Sequence, residues 1–118
     1  MAPFTLNDFL TWAKEPFTLV VVLDEDGAVQ SVAHLVLHED CVELEKLARN
    51  LDTERGSGRR LLTAVESIAR QLGYGHVRLD AAGDALVRWY VTRGYTAVGP
   101  PREDSDWGPL TAMRKELA

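Results

Sequence analysis

The chain has little cysteine, no long apolar run and fewer basic than acidic residues, and each shortage excludes a class of protein. Cys41 is the only cysteine among 118 residues, so no disulfide forms within the chain, and a reducing, cytoplasmic location is expected. The longest apolar run, Leu19–Leu23, is far too short to cross a membrane. The 13 Lys and Arg against 18 Asp and Glu give a net charge of −5, which argues against nucleic-acid binding.

The overall composition is that of a folded globular protein. Hydrophobic residues make up 46% of the chain and charged residues 26%, so disorder is not expected. The length suits one domain, and we predict a single domain over residues 1–118. The acidic balance suits a cationic substrate, but many proteins are acidic for solubility alone, so both interpretations stay open.

The most distinctive segment is Thr53–Leu62, in which two glycines, Gly56 and Gly58, lie among arginines just before an apolar helical pattern. The first turn of a helix normally favours acidic residues, because free backbone N–H groups and the macrodipole make that end positive. Arg59 and Arg60 stand there instead. The pattern is typical of a helix N-terminus that binds phosphate, and the alternative is a flexible loop before a helix.

Periodicity and turn residues predict the order of the other elements. A short helix over Leu6–Ala13 precedes a three-strand meander; a long helix, a strand, a second helix and two further strands follow. The predicted ranges after the first helix are Phe17–Leu23, Ala28–Leu37, Cys41–Ala48, Leu61–Leu72, Val77–Asp80, Asp84–Arg93 with Asp84 as N-cap, Tyr95–Val98 and Leu110–Lys115. Pro100–Asp106 is predicted to be a loop. This order favours an α/β (α+β) fold with a mixed, mostly antiparallel sheet flanked by helices.

Two stretches resemble the GNAT superfamily of acyl-CoA-dependent N-acyltransferases. Glu43–Arg49 followed by Arg55–Leu62 resembles the strand, pyrophosphate loop and helix of that family, whose core pattern is Gln/Arg-x-x-Gly-x-Gly/Ala. Ala85–Tyr95 resembles its late helix, in which an aromatic–Tyr pair precedes Gly-Phe, and Met113–Leu117 resembles its closing strand.

The chain also departs from the family pattern. Thr53 stands where the family has Gln or Arg, and Gly83 replaces a frequent asparagine. The region before the meander is shorter than the family's strand and two helices. Because those elements help to wall the acceptor site in the family, cofactor binding is better supported than any particular acceptor.

The resemblance implies an N-acetyltransferase that moves the acetyl group of acetyl-CoA to a primary amine of a small molecule or protein by direct attack. Backbone groups at Ala48 and Arg49 would pair with the pantetheine arm. Tyr90 matches the family tyrosine near the thioester sulfur and would protonate the leaving thiolate; the alternative is a core aromatic residue. The pyrophosphate would rest on Glu54, Arg55, Gly56, Ser57, Gly58 and Arg59.

Three carboxylates are candidates for the general base. Glu45 is our candidate, because it lies where the third strand would meet the thioester; Glu43 and Asp80 are rivals, and a solvated strand face is an equal alternative. His34 and His38 share a strand face without the spacing of a metal site, and no metal is predicted. Cys41 has no triad context.

Two other functions remain open at this stage. The short N-terminal region and Thr53 are compatible with a non-catalytic, regulatory acyl-CoA-binding module of GNAT fold. A glycine-loop nucleotide binder is disfavoured, because no Gly-Lys-Ser/Thr ending follows the glycines. The short front also suggests a homodimer that covers apolar sheet surface. Neither a nucleic-acid nor a membrane partner is expected.

Overall fold

A computed structural model describes residues 14, 16–25, 27–49 and 57–117. The strands are β1 (Thr18–Glu25), β2 (Ala28–Leu37), β3 (Val42–Arg49), β4 (His76–Ala82), β5 (Thr96–Ala97), β6 (Arg102–Asp104) and β7 (Gly108–Glu116); the helices are α1 (Ser57–Gln71) and α2 (Asp84–Val91). The predicted helix over Leu6–Ala13 lies outside the described residues, as do Glu54, Arg55 and Gly56. No helix in the described part of the chain is long and apolar enough to span a membrane.

The strands form one seven-stranded sheet in the order β1-β2-β3-β4-β7-β5, and β6 also pairs with β7, at the start of that strand. Strands β3 and β4 are parallel, and the other pairings in the described sheet are antiparallel. The parallel step is made possible by α1, which carries the chain across from the end of β3 to the start of β4. This confirms the predicted mixed, mostly antiparallel sheet flanked by helices.

Side chains that alternate along the strands give the sheet two different faces. On the face that packs against the helices, Leu44 of β3 pairs with Leu79 of β4, and both are buried. On the other face, Asp80 follows Leu79 and is exposed. Burial of the apolar stripe of α1 against the first face provides the main stabilisation of the fold. The core includes Leu35, Leu44, Leu61, Leu62, Val65, Val77, Leu79, Tyr90, Tyr95 and Met113.

Strands β3 and β4 separate after only three residue pairs, which run from Val42 to Leu44 on β3. A β-bulge lies at the same point: Leu35 of β2 pairs with Leu44, and His34 pairs with Lys46, so that Glu45 has no partner on β2. Bulges bend a strand and increase its twist. The bend accompanies the divergence of β3 from β4 and leaves one edge of β3 without a strand partner beyond Leu44, within the described residues.

Two predictions about the second half of the chain were wrong. The N-cap of α2 is Gly83, at a φ of 87°, and Asp84 lies in the first turn without capping it. The N–H of Gly83 donates to the carbonyl of Pro109 (3.1 Å), so the entry into α2 is fixed by β7 and not by a side chain. The predicted loop Pro100–Asp106 contains β6, whose backbone partners are supplied by Gly108–Leu110 of β7.

Candidate active site

The divergence of β3 and β4 opens a cleft of about 950 Å³ that connects the two faces of the sheet. Its walls come from β3, the first turn of α1, the end of β4, one side of α2 and the β6–β7 hairpin. Four sequence candidates, Glu45, Gly58, Arg59 and Tyr90, line it together. These residues lie between positions 45 and 90 of the sequence, and the parallel β3–β4 pairing is what brings them to one place.

The N-terminus of α1 forms one wall. The helix begins at Ser57, and its first turn contains no acidic residue but does contain Arg59 and Arg60, both exposed. A Cβ atom added to Gly58 would meet only Leu47 Cδ2 of the protein, at an ordinary 3.9 Å. The N–H groups of a helix start, which have no acceptor within the helix, suit the phosphate groups of coenzyme A, because the same turn carries guanidinium charge and no carboxylate.

The second half of β3 forms another wall. Ala48 and Arg49 pair with β2 on one side, opposite Val32 and Ser31. On the other side, the main chain from Glu45 to Arg49 has no strand partner among the residues described. Such an edge accepts an extended chain with amide groups, as pantetheine has, by backbone hydrogen bonds that do not depend on side-chain identity. The donors and acceptors present therefore fit coenzyme A at both positions.

Tyr90 projects from α2 toward the cleft and is 7% exposed. Its ring packs edge-on against Trp89 (centroids 4.9 Å apart) and Tyr95 (5.5 Å). No group in the described part of the chain accepts a hydrogen bond from its hydroxyl. Burial raises the pKa of Tyr90 to about 12. The hydroxyl is thus protonated at ordinary pH and held as a proton donor, not as a base.

Two of the three carboxylates considered as bases are held by counter-ions. Asp80 accepts two hydrogen bonds from the Arg102 guanidinium, at 3.2 and 2.8 Å. Glu43 lies 2.7 Å from His38 Nε2 and 3.5 Å from Arg78 Nη2. Burial acts to raise the pKa of Glu43, but the side-chain hydrogen bonds with His38 and Glu45 and the Arg78 charge outweigh it, so the pKa lies below its usual value. Glu43 is ionised and weakly basic.

Glu45 differs from the other two in its partners. Its carboxylate pairs with the neighbouring Lys46, at 3.0 Å, an exposed contact of small energetic value, and its side chain also lies within hydrogen-bonding reach of Glu43. Because Glu45 is the bulge residue, the alternation of side chains between the two faces of the sheet does not fix its direction as it does for Leu44 and Lys46. It retains the features that a base at the cleft requires.

The histidines and the cysteine do not line the cleft. His34 is buried on β2, and His38 is occupied by Glu43. Cys41 is buried and free, and burial raises the pKa of its thiol. Within the described ranges, no group of three or more His, Cys, Asp or Glu side chains is placed to bind a metal ion.

Sequence reasoning missed a buried polar cluster behind Tyr90. The Tyr95 hydroxyl donates to Glu66 Oε2 (2.8 Å), and Lys115 Nζ donates to Glu66 Oε1 (2.9 Å) and to the carbonyl of Arg93 (2.8 Å). The one available signal was Glu66 itself, a charged residue beside Val65 on the apolar side of α1. Its partners lie 29 and 49 residues away in sequence, so no local pattern predicts them.

The family model described as "Acetyltransferase (GNAT) domain" matches residues 9–117. No curated protein matches the sequence. Among solved structures, the ribosomal-protein-S18-alanine N-acetyltransferase of Escherichia coli superposes with a TM-score of 0.80 at 20% identity, covering 99% of this chain and 79% of that one.

Two other solved structures are also similar in fold. One is a putative N-acetyltransferase from Lactobacillus plantarum, with a TM-score of 0.71 at 28% identity, covering 86% of this chain and 68% of that one. The other is the PaiA N-acetyltransferase of Thermoplasma acidophilum in complex with coenzyme A. Its TM-score is 0.70 at 18% identity, and the match covers 94% of this chain and 69% of that one.

Proposed function

The chain belongs to the acetyltransferase (GNAT) domain family, and from that premise we propose that it transfers the acetyl group of acetyl-CoA to a primary amine of a small molecule or a protein. One observation carries the proposal. The open edge of β3, the acid-free start of α1 and the Tyr90 hydroxyl all border the same cleft. These are the groups that would hold an acyl-CoA and assist the departure of its thiolate.

Acetyl-CoA supplies an activated thioester, which an amine attacks directly with the thiolate of coenzyme A as leaving group. The main chain of Glu45–Arg49 aligns the pantetheine arm as an added strand would be aligned. The N–H groups of Ser57 and Gly58, together with the Arg59 guanidinium, hold the pyrophosphate; Glu54, Arg55 and Gly56 complete that loop in the proposal. These contacts fix the thioester beside the point where β3 and β4 separate.

Two side chains handle protons in this scheme. Glu45 accepts a proton from the incoming ammonium, directly or through one water, because its carboxylate is accessible and carries no strong counter-ion. Tyr90 holds a proton on its hydroxyl oxygen and donates it to the departing sulfur. The unpaired hydroxyl of a buried tyrosine is suited to that step, since no protein group competes for its proton.

The proposal also includes the cellular compartment and the oligomeric state. The single, buried Cys41 is compatible with a reducing, cytoplasmic compartment. The edge position of β1, with Val22 exposed, is compatible with a homodimer. Light scattering would distinguish a dimer from a monomer.

Calorimetric titration with acetyl-CoA tests the cofactor site. Two charge-reversal variants of α1, one at each end of the helix, make the test specific to the helix N-terminus. Arg59 lies in the first turn of α1 and borders the cleft, whereas Arg70 lies exposed in the last turn of the same helix. We expect Arg59→Glu to weaken acetyl-CoA binding about tenfold and Arg70→Glu to leave Kd within about twofold. Equal effects of both variants would refute the assignment of the α1 N-terminus.

Turnover is measured separately, by thiol release with a panel of primary amines. Release that depends on both acetyl-CoA and an amine supports the enzyme. Tight acetyl-CoA binding without release for any amine would favour the regulatory acyl-CoA-binding module. Displacement of acetyl-CoA by ATP at similar concentration would instead favour a nucleotide binder.

A further inference from the structure

We propose that the buried cluster of Glu66, Tyr95 and Lys115 positions Tyr90 at the cleft, as a group of positioning residues for the reaction. The inference rests on the proposed function, because it explains how the proposed proton donor, Tyr90, is held in place. The cluster does not line the cleft, so its members act only through Tyr90.

The cluster joins α1 and β7 to the turn between α2 and β5, at the end of α2 that is nearest to Tyr90. Glu66 belongs to α1, Tyr95 precedes β5, and Lys115 belongs to β7. Lys115 Nζ also donates to the carbonyl of Arg93, in the turn that follows α2. One ammonium group therefore ties the end of α2 to both the long helix and the closing strand.

Tyr90 is attached to this cluster through its backbone and its ring. Its carbonyl accepts the N–H of Arg93 (2.9 Å) and the N–H of Tyr95 (3.1 Å). Its ring contacts the Tyr95 ring, with centroids 5.5 Å apart and planes at 68°. Since its own hydroxyl has no hydrogen-bond partner in the described part of the chain, these neighbours determine where that hydroxyl points.

The cluster can resist displacement because its polar groups are largely buried. The Glu66 side chain is 8% exposed and that of Lys115 is 25% exposed. Breaking one of its hydrogen bonds would leave a buried polar group without its partner, at a cost in free energy. Burial and the Glu66 carboxylate both raise the pKa of Tyr95, so its hydroxyl remains a donor to Glu66 across the working pH range.

The packing around Gly94 supports a fixed arrangement. Gly94 has a φ of 96°, and a Cβ atom built on it would lie 3.2 Å from Lys115 Cε. The turn between α2 and β5 thus passes directly over the Lys115 side chain. A glycine is required both by the backbone conformation and by the close approach.

A double-mutant cycle of Tyr95→Phe and Tyr90→Phe tests the proposal kinetically. Tyr95→Phe keeps the ring that contacts Tyr90 and removes only the hydroxyl that bonds to Glu66. We expect it to lower kcat about fivefold with the KM for acetyl-CoA within about twofold, and to have no further effect on kcat when Tyr90 is already Phe. The same fractional loss in both backgrounds, or no loss in either, would overturn the positioning role.

Control variants separate positioning from general destabilisation. Val32→Ala removes buried volume on β2, outside the core cluster that contains Tyr90, and should leave kcat unchanged at a comparable loss of stability. Lys115→Arg preserves the charge beside Glu66 and should retain more of kcat than Lys115→Met. If Lys115→Met does not fold, Tyr95→Phe and Lys115→Arg still decide the question.

A spectroscopic measurement makes the test independent of turnover. The chain has three tyrosines, Tyr74, Tyr90 and Tyr95, so ¹³C labelling of the tyrosine Cζ gives three signals. In Tyr95→Phe we expect the Tyr90 signal to shift or broaden while that of Tyr74 stays in place. An unchanged Tyr90 signal would overturn the proposal, whether or not the protein acetylates an amine. Absence of turnover with a displaced Tyr90 signal would count against the proposed function alone.

Discussion

At the cleft, the two faces of the sheet carry different kinds of side chain, although the same strands contribute to both. Leu79 faces the helices and is 3% exposed, while the next residue, Asp80, faces the opposite side and pairs with Arg102. On β3, Leu44 is buried against the helices, while Glu43 pairs with His38 and Arg78 on the other face. Buried apolar side chains predominate on one face, and exposed charged side chains border the cleft on the other. Substitutions on the two faces should therefore differ in kind.

The largest effect on stability is expected on the helix face. Leu79→Ala removes buried methyl groups from the centre of the core, and we expect it to lower the free energy of unfolding by about 2–5 kcal/mol. Chemical denaturation measures this, and Asp80→Ala at the adjacent position is the matched control. Similar losses for the two variants would show that the faces do not differ as described.

Tyr90 is an exception to this division, because it belongs to the core on the helix face while its side chain also lines the cleft. Tyr90→Phe tests its role in the proposed reaction. We expect kcat to fall about 100-fold, the typical worth of one acid–base group, with acetyl-CoA affinity and stability nearly unchanged. Stopped-flow thiol release and titration calorimetry measure the two quantities. A rate like that of the unmodified protein would remove Tyr90 from the mechanism.

The raised pKa of Tyr90 gives this prediction a pH dependence. Since burial raises the pKa to about 12, the hydroxyl keeps its proton throughout the range in which rates are measured. The group therefore contributes no fall in kcat between neutral pH and about pH 10, where a solvent-exposed tyrosine titrates. A fall with a midpoint near 10 that disappears in Tyr90→Phe would contradict the described environment.

The smallest effect on stability is expected on the opposite face. The Asp80–Arg102 pair is well aligned but largely exposed, so a double-mutant cycle of Asp80→Asn and Arg102→Gln should give a small coupling energy, reduced at high salt. Denaturation at low and high ionic strength measures it. A large coupling energy that is insensitive to salt would contradict the description of this pair as exposed.

Much of the fold was predictable because its signals are local. The apolar spacing of α1, the β-branched residues of β1 and β2, and Gly73 after α1 all act within a few residues. β6 was missed because Arg102–Asp104 has no strand-like composition and owes its conformation to β7, with Asp104 fixing the turn through the N–H groups of Asp106 and Trp107.

The site was predictable in part for the same reason. The convergence of Glu45, Gly58, Arg59 and Tyr90 on one cleft was expected from the family resemblance. Whereas His38 lies only five residues from Glu43, the Asp80–Arg102 and Glu43–Arg78 ion pairs and the cluster around Glu66 depend on residues distant in sequence. Those contacts arise only once the strands have been placed side by side, and no pattern in the sequence indicates them.

The bulge at Glu45 gives β3 one residue more than its pairing with β2 requires. Leu44 and Lys46 already pair with consecutive residues of β2, so a chain without Glu45 would keep every neighbouring side chain on its present face. Such a strand would be straighter. In terms of chain length, β3 is one residue longer than a regular ladder with β2 requires, and the extra residue lies where β3 leaves β4 and the cleft begins.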